Sequence, residues 1–469
     1  MKKVLKLKAE ELTRAEQLMR EGKYEEALQI VNKLEDLKNL TLQDQFEIHR
    51  FKSSLLFEIG RFDDALQYIE LAYKESHQMK NDLQIIDILI SKSSLLLKST
   101  RLNEALNNII KVEQMLKKIN HISSKEYKEK YASLILLKGH YYWNLGDSNR
   151  SLEYANEVLA IAEEIENDLI KISATKLFGF NYSLKGELEL NIENNKRILA
   201  LAKKLNNKQE IIGALNSMGM ILTEKQEFDK ALNCLKEALS ICDEIKSFKK
   251  AAVLSSLLDL YLEINNLDKA QQCLDQIKQI RNQEPTKWHN DLYQLEKAEL
   301  LKKKLQDINK LKAREIYKQL VDKGDSAIDI YYCSLINLCD SYLKELQKTN
   351  DLKILDEIQP YIKRLMNIAK SQQSSWLLVE MYLFQAKLKL ISFEFNEAQK
   401  FQSQALDIAE KYGQTLLAER VQIEQDELLN EKIKWEKLKK SKAVMAERLE
   451  LTDLDNQIGR MLRKRSLLK

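Results

Sequence analysis

The chain has 469 residues, with 75 Lys and Arg against 71 Asp and Glu, but only 11 Gly and 2 Pro. A chain of this length usually forms more than one domain, yet no stretch rich in Pro, Gly or Ser divides it. The net charge of +4 is small for this size, which excludes a global field that would recruit nucleic acid or a membrane surface. The composition therefore favours one continuous all-α array.

The first residues begin like the charged start of a secretory signal peptide. Lys8, Glu10 and Glu11 interrupt the apolar run before it reaches a useful length. No stretch approaches the roughly 18 uninterrupted apolar residues of a membrane span. We therefore expect a cytoplasmic protein with no membrane span.

Residues that usually carry chemistry are few and scattered. The cysteines form no C-x-x-C pair and fall within predicted helices, which predicts reduced core residues with neither a disulfide nor a metal site; they are Cys234, Cys242, Cys273, Cys333 and Cys339. The histidines lie far apart and form no H-E-x-x-H motif; they are His49, His77, His121, His140 and His289. No phosphate-binding glycine loop or G-x-S-x-G elbow is present. We expect no enzymatic activity and no cofactor.

Residues 212–245 show the clearest structural unit. One helical face carries Leu215, Met218, Gly219 and Leu222. After the polar break at 223–227, a second face carries Phe228, Ala231, Leu235, Ala238 and Ile241. The small residues on both faces let the two backbones approach closely, so the pattern predicts a helical hairpin.

This pattern recurs along the N-terminal part of the chain. A small or polar residue in each first helix precedes its partner in the second helix by a constant interval, in the pairs Ala15/Ala27, Ser53/Ala65, Ser93/Ala105, Gly139/Ser151, Gly179/Asn191 and Gly219/Ala231. The partner positions, with Ala270 as a seventh, recur with a period of roughly 40 residues. Gly22 and Gly60 mark two of the intervening turns.

The unit resembles a tetratricopeptide repeat, which has a small residue in the first helix, an aromatic residue opening the second, and two spaced alanines within it. Its longer period resembles the arrays of kinesin light chains, MalT-like regulators and bacterial peptide sensors. This resemblance implies an α-α superhelix, a solenoid of about ten hairpins with a C-terminal capping helix. It also implies a role in protein–protein interaction.

The pattern divides the chain into three parts. Residues 1–281 form a regular array of about seven hairpins. Residues 282–413 form a degenerate array of about three hairpins, with Pro285 near its start and Pro360 in the second helix of its middle unit. Residues 414–469 form the capping helix and a basic tail.

The last predicted helix begins near Thr415 and runs to about Leu449. Glu424, Glu431 and Lys442 break its apolar stripe at seam positions, which argues against a coiled coil in its later part. From residue 431 to the end there are 12 basic and 6 acidic residues. The basic tail, Arg460, Arg463, Lys464 and Arg465, is either a solvated helix end, a segment for an acidic protein partner, or a contact for nucleic acid or anionic lipid.

The concave groove is the predicted binding surface, because first helices line the inner wall of a hairpin solenoid. The candidate residues on the fourth to sixth units are Leu136, His140, Trp143, Asn144, Lys176, Phe180, Asn216 and Met220. Asparagines can hold a peptide backbone, while Trp143 and Phe180 either anchor apolar side chains or pack between hairpins. Lys176 and Asn216 match only part of the carboxylate clamp of some tetratricopeptide repeat domains.

Three functions remain open from the sequence. The preferred one is a non-enzymatic scaffold that holds a peptide or protein segment in the groove. The second is a ligand-responsive regulatory sensor that acts through another protein. The third is a structural oligomer assembled through the C-terminal helix.

Overall fold

The computed structural model describes residues 2–20, 23–59, 61–98, 101–119, 123–283, 285–304, 306–324, 326–371 and 374–463. All the regular secondary structure in these ranges is helical, as predicted. Gly22, Gly60, His121, Lys464 and Arg465 lie outside the described residues.

The first twenty helices pair in chain order as ten antiparallel hairpins. They are α1 (Lys2–Arg20) with α2 (Tyr24–Glu35), α3 (Leu42–Glu58) with α4 (Phe62–Gln78), α5 (Asp82–Lys98) with α6 (Leu102–Leu116), α7 (Ser124–Asn144) with α8 (Ser148–Glu164), α9 (Asp168–Lys185) with α10 (Leu188–Lys204), α11 (Lys208–Glu224) with α12 (Phe228–Ile245), α13 (Lys250–Glu263) with α14 (Leu267–Gln283), α15 (Lys287–Lys303) with α16 (Asp307–Lys323), α17 (Ile328–Thr349) with α18 (Ile354–Ser371), and α19 (Ser375–Ile391) with α20 (Phe395–Lys411). Four further helices follow: α21 (Thr415–Asn430), α22 (Lys432–Ser441), α23 (Met445–Thr452) and α24 (Leu454–Arg463).

Close helix contact explains the small residues of the repeat. A Cβ added at Gly219 would lie 2.5 Å from Cγ of Leu235 on α12, and one added at Gly139 would lie 2.4 Å from a Cδ of Leu177 on α9. In the second hairpin, the Ser53 hydroxyl donates to the carbonyl of Ala65 at 2.9 Å. Any larger side chain at these positions would separate the helices.

The odd-numbered and even-numbered helices form two layers. Along most of the array, first helices of neighbouring hairpins contact each other directly, as α5 with α7, α7 with α9, α11 with α13, and α13 with α15. Each second helix lies against its own partner and the following first helix. The first helices therefore form the inner wall of a superhelix.

The superhelix is wound tightly enough that successive turns touch. The rings of Tyr24 and Phe248 meet edge to face at 5.1 Å, although Tyr24 opens α2 and Phe248 lies between α12 and α13. Farther along, the Gln414 side-chain amide donates to the carbonyl of Gly146 at 2.9 Å and to the Ser375 hydroxyl at 2.6 Å. These contacts make a seam between the turns.

The degenerate part of the array keeps its buried anchors. Ala298, Ala313, Tyr317 and Leu320 of the eighth hairpin are all almost completely buried, as are Ala386, Ala398 and Ala405 of the tenth. Pro360 lies inside α18, which continues to Ser371. The division of the chain at residues 281 and 413 stays a prediction.

The C-terminal region differs from the expected single helix. Lys442 and Asp453 adopt left-handed conformations, with φ of 52° and 53°, and these residues end α22 and α23. Trp435 is buried against Phe393 and Phe395, at ring separations of 6.4 and 6.2 Å. The chain therefore folds back on the last hairpins instead of continuing outward.

A helix with the length and apolar character to span a bilayer is not found among the described residues. In the same ranges, no group of three or more His, Cys, Asp or Glu side chains is arranged to hold a metal ion. The five cysteines are free thiols, and four of them are buried.

Candidate binding channel

The inner wall of the first superhelical turn encloses a cluster of charged side chains. We call it the channel cluster: Glu58 at the end of α3, Lys98 at the end of α5, His140 on α7, Lys176 on α9, Glu210 on α11, and Lys249 just before α13. These groups are close enough to alter one another's ionisation. The winding of the superhelix therefore brings six successive first helices to one point.

The cations of the channel cluster outnumber its anions, with three lysines facing two glutamates. Lys176 makes an ion pair with Glu210 at 3.0 Å. The Lys249 ammonium donates to the backbone carbonyl of Gln209, also at 3.0 Å. Lys98 stands over the ring of Phe57, with its nitrogen 4.3 Å from the ring centre. One positive charge thus lacks a carboxylate counterpart within the cluster.

The ionisation of the cluster reflects its enclosed position. Desolvation lowers the pKa of Lys98 and of Lys249, and each is lowered further by repulsion from Lys176. Glu210 has its pKa raised by desolvation, but Lys176 and Lys249 outweigh this and hold it below its usual value. The Lys98 side chain itself is nevertheless exposed to solvent. A side chain that projects into an internal channel has both properties, since water reaches it while protein surrounds it at longer range.

His140 is neutral in this environment. Desolvation, followed by the nearby charges of Lys98 and Lys176, lowers its pKa from 6.5 to about 4. The uncharged imidazole lies 5.9 Å from the Phe180 ring, measured between ring centres.

An aromatic pair adjoins the charges. The Trp143 and Phe180 rings lie 5.2 Å apart between centres, and Phe180 is 36% exposed. Trp143 is less free, because it also packs against the hydrophobic core of the second turn. Phe180 is therefore the accessible apolar surface, and Trp143 supports it from the seam.

The remaining predicted groove residues have mixed surroundings. The Asn144 amide donates to the carbonyl of His140 at 2.8 Å, within its own helix. The Asn216 amide lies 3.7 Å from the Met220 sulfur. Leu136 packs within the core between α7, α8 and α9, so its surface is partly used by the fold.

Two polar atoms near this wall are buried without a hydrogen-bond partner in the described part of the chain. They are the Trp143 indole nitrogen and the Asn216 side-chain oxygen. A buried donor or acceptor left unpaired costs free energy. Neither atom is accessible from the channel in the folded chain.

Sequence reasoning missed four members of the channel cluster: Glu58, Lys98, Glu210 and Lys249. The repeat contained a signal, since Glu58 and Lys98 differ by about one repeat period, as do Glu210 and Lys249. Both pairs therefore occupy nearly equivalent positions in successive units. What the repeat does not encode is that units one superhelical turn apart face each other.

Arg460 is the one residue of the basic tail whose side chain the structure describes, and it does not lie in a free segment. Arg460 lies within α24, with guanidinium nitrogens 3.9 Å from Glu424 and 3.7 Å from Asp453. The side chain of Arg463 lies outside the described residues, as do Lys464 and Arg465. Arg460 is therefore part of a folded helix, and the role of the basic tail stays a prediction.

Known proteins resemble parts of this chain. Two tetratricopeptide repeat profiles match residues 132–165 and 210–283. No curated protein sequence matches the chain.

Solved structures resemble it more broadly in shape. A Rap protein complexed with Competence and Sporulation Factor has a TM-score of 0.48 at 16% identity, covering 87% of this chain and 99% of the Rap chain. Aspartyl phosphate phosphatase F from Bacillus subtilis scores 0.47 at 12% identity, covering 76% and 93% respectively. Yeast Tom70 scores 0.37 at 13% identity, covering 91% and 98%. Likeness at this level carries no inference about function.

Proposed function

We propose that the chain is a non-enzymatic scaffold that holds a peptide or protein segment inside its first superhelical turn. The tetratricopeptide repeat profiles, which match residues 132–165 and 210–283, support this proposal. The observation that carries the proposal is the excess of lysine over carboxylate in the channel cluster, directly beside an exposed phenylalanine. Charged groups in an enclosed place are costly unless they are paired. An arriving anionic group would complete the pairing.

The chemistry of the channel defines the class of segment. Lys98 and Lys249 would contact an acidic side chain or a terminal carboxylate. Phe180, supported by Trp143, would receive a neighbouring apolar side chain, since aromatic anchors contribute much of the binding energy in many interfaces. We therefore expect a segment in which an anionic group lies next to an apolar one.

A regulatory sensor is the second candidate, and one observation favours it. The channel cluster joins α3 and α5, early in the first turn, to α11 and α13, where that turn closes at the Tyr24–Phe248 seam. A ligand that bridged Lys98 and Lys249 would hold the seam shut. Binding would then alter the pitch of the superhelix, and a second protein could respond to the change.

A selection experiment tests the proposed groove. We would select a peptide library, displayed on phage, against the wild-type chain, and compare it with the Lys98→Glu and Phe180→Ala variants. Enriched peptides should pair an acidic or C-terminal carboxylate with an aromatic or aliphatic residue. Both substitutions should reduce the affinity of those peptides at least tenfold.

Lys236→Glu is the matched control, because it makes the same charge change at an exposed position on the outer helix α12. It should leave the affinities unchanged. Equal loss in Lys236→Glu would mean that net charge alone attracts the peptides. Unchanged binding by a folded Phe180→Ala chain and a folded Lys98→Glu chain would contradict the proposed groove.

A further inference from the structure

A second concave surface exists in the last hairpins, and the chain's own helix α24 occupies it. Helix α24 contacts both α17 and α19, the first helices of the ninth and tenth hairpins. Its apolar residues Leu454, Ile458 and Met461 are 2%, 3% and 1% exposed. This spacing of i, i+4 and i+7 places them on one helical face, against the inner wall. Helix α24 therefore lies where the array would present a binding groove.

Polar contacts fix the register of α24. The Tyr332 hydroxyl of α17 donates to the backbone carbonyl of Met461 at 3.0 Å. The Gln457 side-chain amide donates to the backbone carbonyl of Glu380 on α19 at 2.9 Å. Tyr332 and Glu380 are both almost completely buried. The groove thus recognises the backbone and one amide of a helix as well as its apolar face.

Carboxylates and cations both line the floor of the groove beneath α24. Glu380 and Glu424 are both largely buried beneath α24, and they share Arg420, which lies 2.7 Å from Glu380 and 4.0 Å from Glu424. Arg460 of α24 lies 3.9 Å from the same Glu424, and Lys387 of α19 lies 3.4 Å from it. The two carboxylates therefore have two cations outside α24, Arg420 and Lys387, and Arg460 adds a third.

The fit of α24 is incomplete in its polar contacts. The Gln457 side-chain oxygen and the Arg460 Nε are buried, and neither has a hydrogen-bond partner in the described ranges. The carboxylate contacts of Arg460, at 3.9 and 3.7 Å, are longer than a charge-assisted hydrogen bond. Both atoms belong to α24, so its docking leaves two of its own polar atoms unpaired, which weakens its hold on the groove.

The connection to α24 borders an open cleft, although α23 itself contacts α17 and α19. Between α22 and α23 an open cleft of about 430 Å³ is lined by Lys434, Leu438, Glu447 and Leu451. The left-handed residues Lys442 and Asp453 separate α23 from its neighbours on either side. Helices α23 and α24 have only 8 and 10 residues, so they are held by the groove more than by their own helical stability.

We propose that the concave surface of α17 and α19 is a second binding site, which takes an amphipathic helix of another protein in exchange for α24. The partner helix carries apolar residues at i, i+4 and i+7, an amide side chain at i+3 and a basic residue at i+6, as α24 does at 454, 458, 461, 457 and 460. This site uses different helices from the channel cluster and does not depend on its function.

Exchange can be measured with the α24 sequence itself as the probe. A fluorescein-labelled peptide of residues 453–463 is titrated into the full-length wild type and into full-length Ile458→Asp/Met461→Asp, and binding is followed by fluorescence anisotropy. The two aspartates would expel the internal α24, so the variant should bind the peptide at least tenfold more tightly than the wild type.

Two controls define specificity. Asn456→Ala changes an exposed residue of α24, and this chain should bind the peptide as weakly as the wild type. A peptide carrying Ile458→Asp should not bind the double variant. Equal binding of the two peptides, or failure of the folded double variant to bind the native peptide, would overturn the proposal.

Hydrogen exchange on the wild-type chain gives a test that needs no substitution. The amides of α24 should exchange at least tenfold faster than those of α17, and an excess of the unlabelled peptide should accelerate them further. Exchange of α24 at the rate of α17, unchanged by the peptide, would make α24 a permanent part of the fold and overturn the proposal. A dimer formed by swapping α24 between two copies, detected by light scattering, would assign the groove to self-assembly. That result would overturn the proposal that another protein supplies the helix.

Discussion

Single glycines show how closely the helices of this array approach. Gly219 leaves no space for a Cβ because Leu235, itself completely buried, lies 2.5 Å from the position that it would occupy. Gly213, on the same helix, meets only the end of the Lys249 side chain at 3.8 Å. The two positions are less than two helical turns apart, yet a methyl group fits at Gly213 and does not fit at Gly219.

We predict that Gly219→Ala lowers the free energy of unfolding by about 1–2 kcal/mol, because overpacking outweighs the gain in helix propensity. Gly213→Ala should instead raise it by up to about 1 kcal/mol, since the methyl group is accommodated and alanine favours helix. Urea denaturation of both variants measures the difference. Equal stability of the two would contradict the packing argument.

The ionisation of His140 makes a second prediction. Its pKa of about 4 in the folded chain lies below the 6.5 of an unperturbed histidine. Above pH 6.5 both folded and unfolded forms are neutral, and the contribution of this group is fully present. As the pH falls from about 6.5 to about 4, only the unfolded chain binds the proton, so the free energy of unfolding decreases.

The expected loss from His140 is on the order of 1–3 kcal/mol by pH 4. Carboxylates also titrate near that pH, so the comparison must be with His140→Gln, which keeps them. The difference in unfolding free energy between the two chains should change between pH 6.5 and 4. A difference that is independent of pH would show that His140 ionises alike in the folded and unfolded chains.

At the scale of secondary structure, short helices depend on their tertiary contacts. Helix α22 lies entirely within the described part of the chain, and Trp435 is its only buried residue. The indole fills the space between Phe393 and Phe395 at the end of the tenth hairpin. One fully buried side chain therefore joins α22 to the tenth hairpin.

We predict that Trp435→Ala destabilises the attachment of α22 by roughly 3–5 kcal/mol, the usual cost of deleting a large buried side chain. Ile433 on the same helix is 67% exposed, so Ile433→Ala should change stability by no more than about 0.5 kcal/mol. Limited proteolysis between residues 430 and 445 should accelerate only in Trp435→Ala. Equal cleavage rates would place the attachment elsewhere.

At the scale of the whole molecule, contact between successive turns sets the dimensions of the superhelix. The Tyr24–Phe248 contact closes the first turn, and Gln414 joins Gly146 to Ser375 farther along. Burial raises the pKa of Tyr24, and the nearby charges of Glu58 and Glu210 raise it further. The seam and the channel cluster are therefore adjacent, and a change in one should affect the other.

We predict that Phe248→Ala loosens this seam and increases the radius of gyration measured by small-angle X-ray scattering. The array should remain helical, because each hairpin keeps its own core. Tyr24→Phe retains the ring contact and should leave the radius unchanged. An unchanged radius in Phe248→Ala would mean that packing between hairpins alone fixes the pitch.

The sequence alone determined the repeat, the all-α class and the boundaries of most hairpins. Local spacing encodes these features, because a constant offset between the small positions of each unit specifies which helix faces meet. The same register predicts that His140, Lys176 and Phe180 line the inner wall. Features that depend on residues close together in the chain could therefore be predicted from the sequence.

Only the tertiary structure decided which distant units face each other. Glu58 belongs to the second hairpin, and Lys249 precedes the seventh. They lie close together because small rotations between hairpins accumulate to a full turn. The spacing within one repeat does not encode this accumulated rotation. The position of Arg460 also depends on tertiary structure, because left-handed residues at 442 and 453 redirect the chain into the groove of α17 and α19. Sequence period determines the hairpin, and the summed geometry of many hairpins determines the channel, the seam and the place of α24.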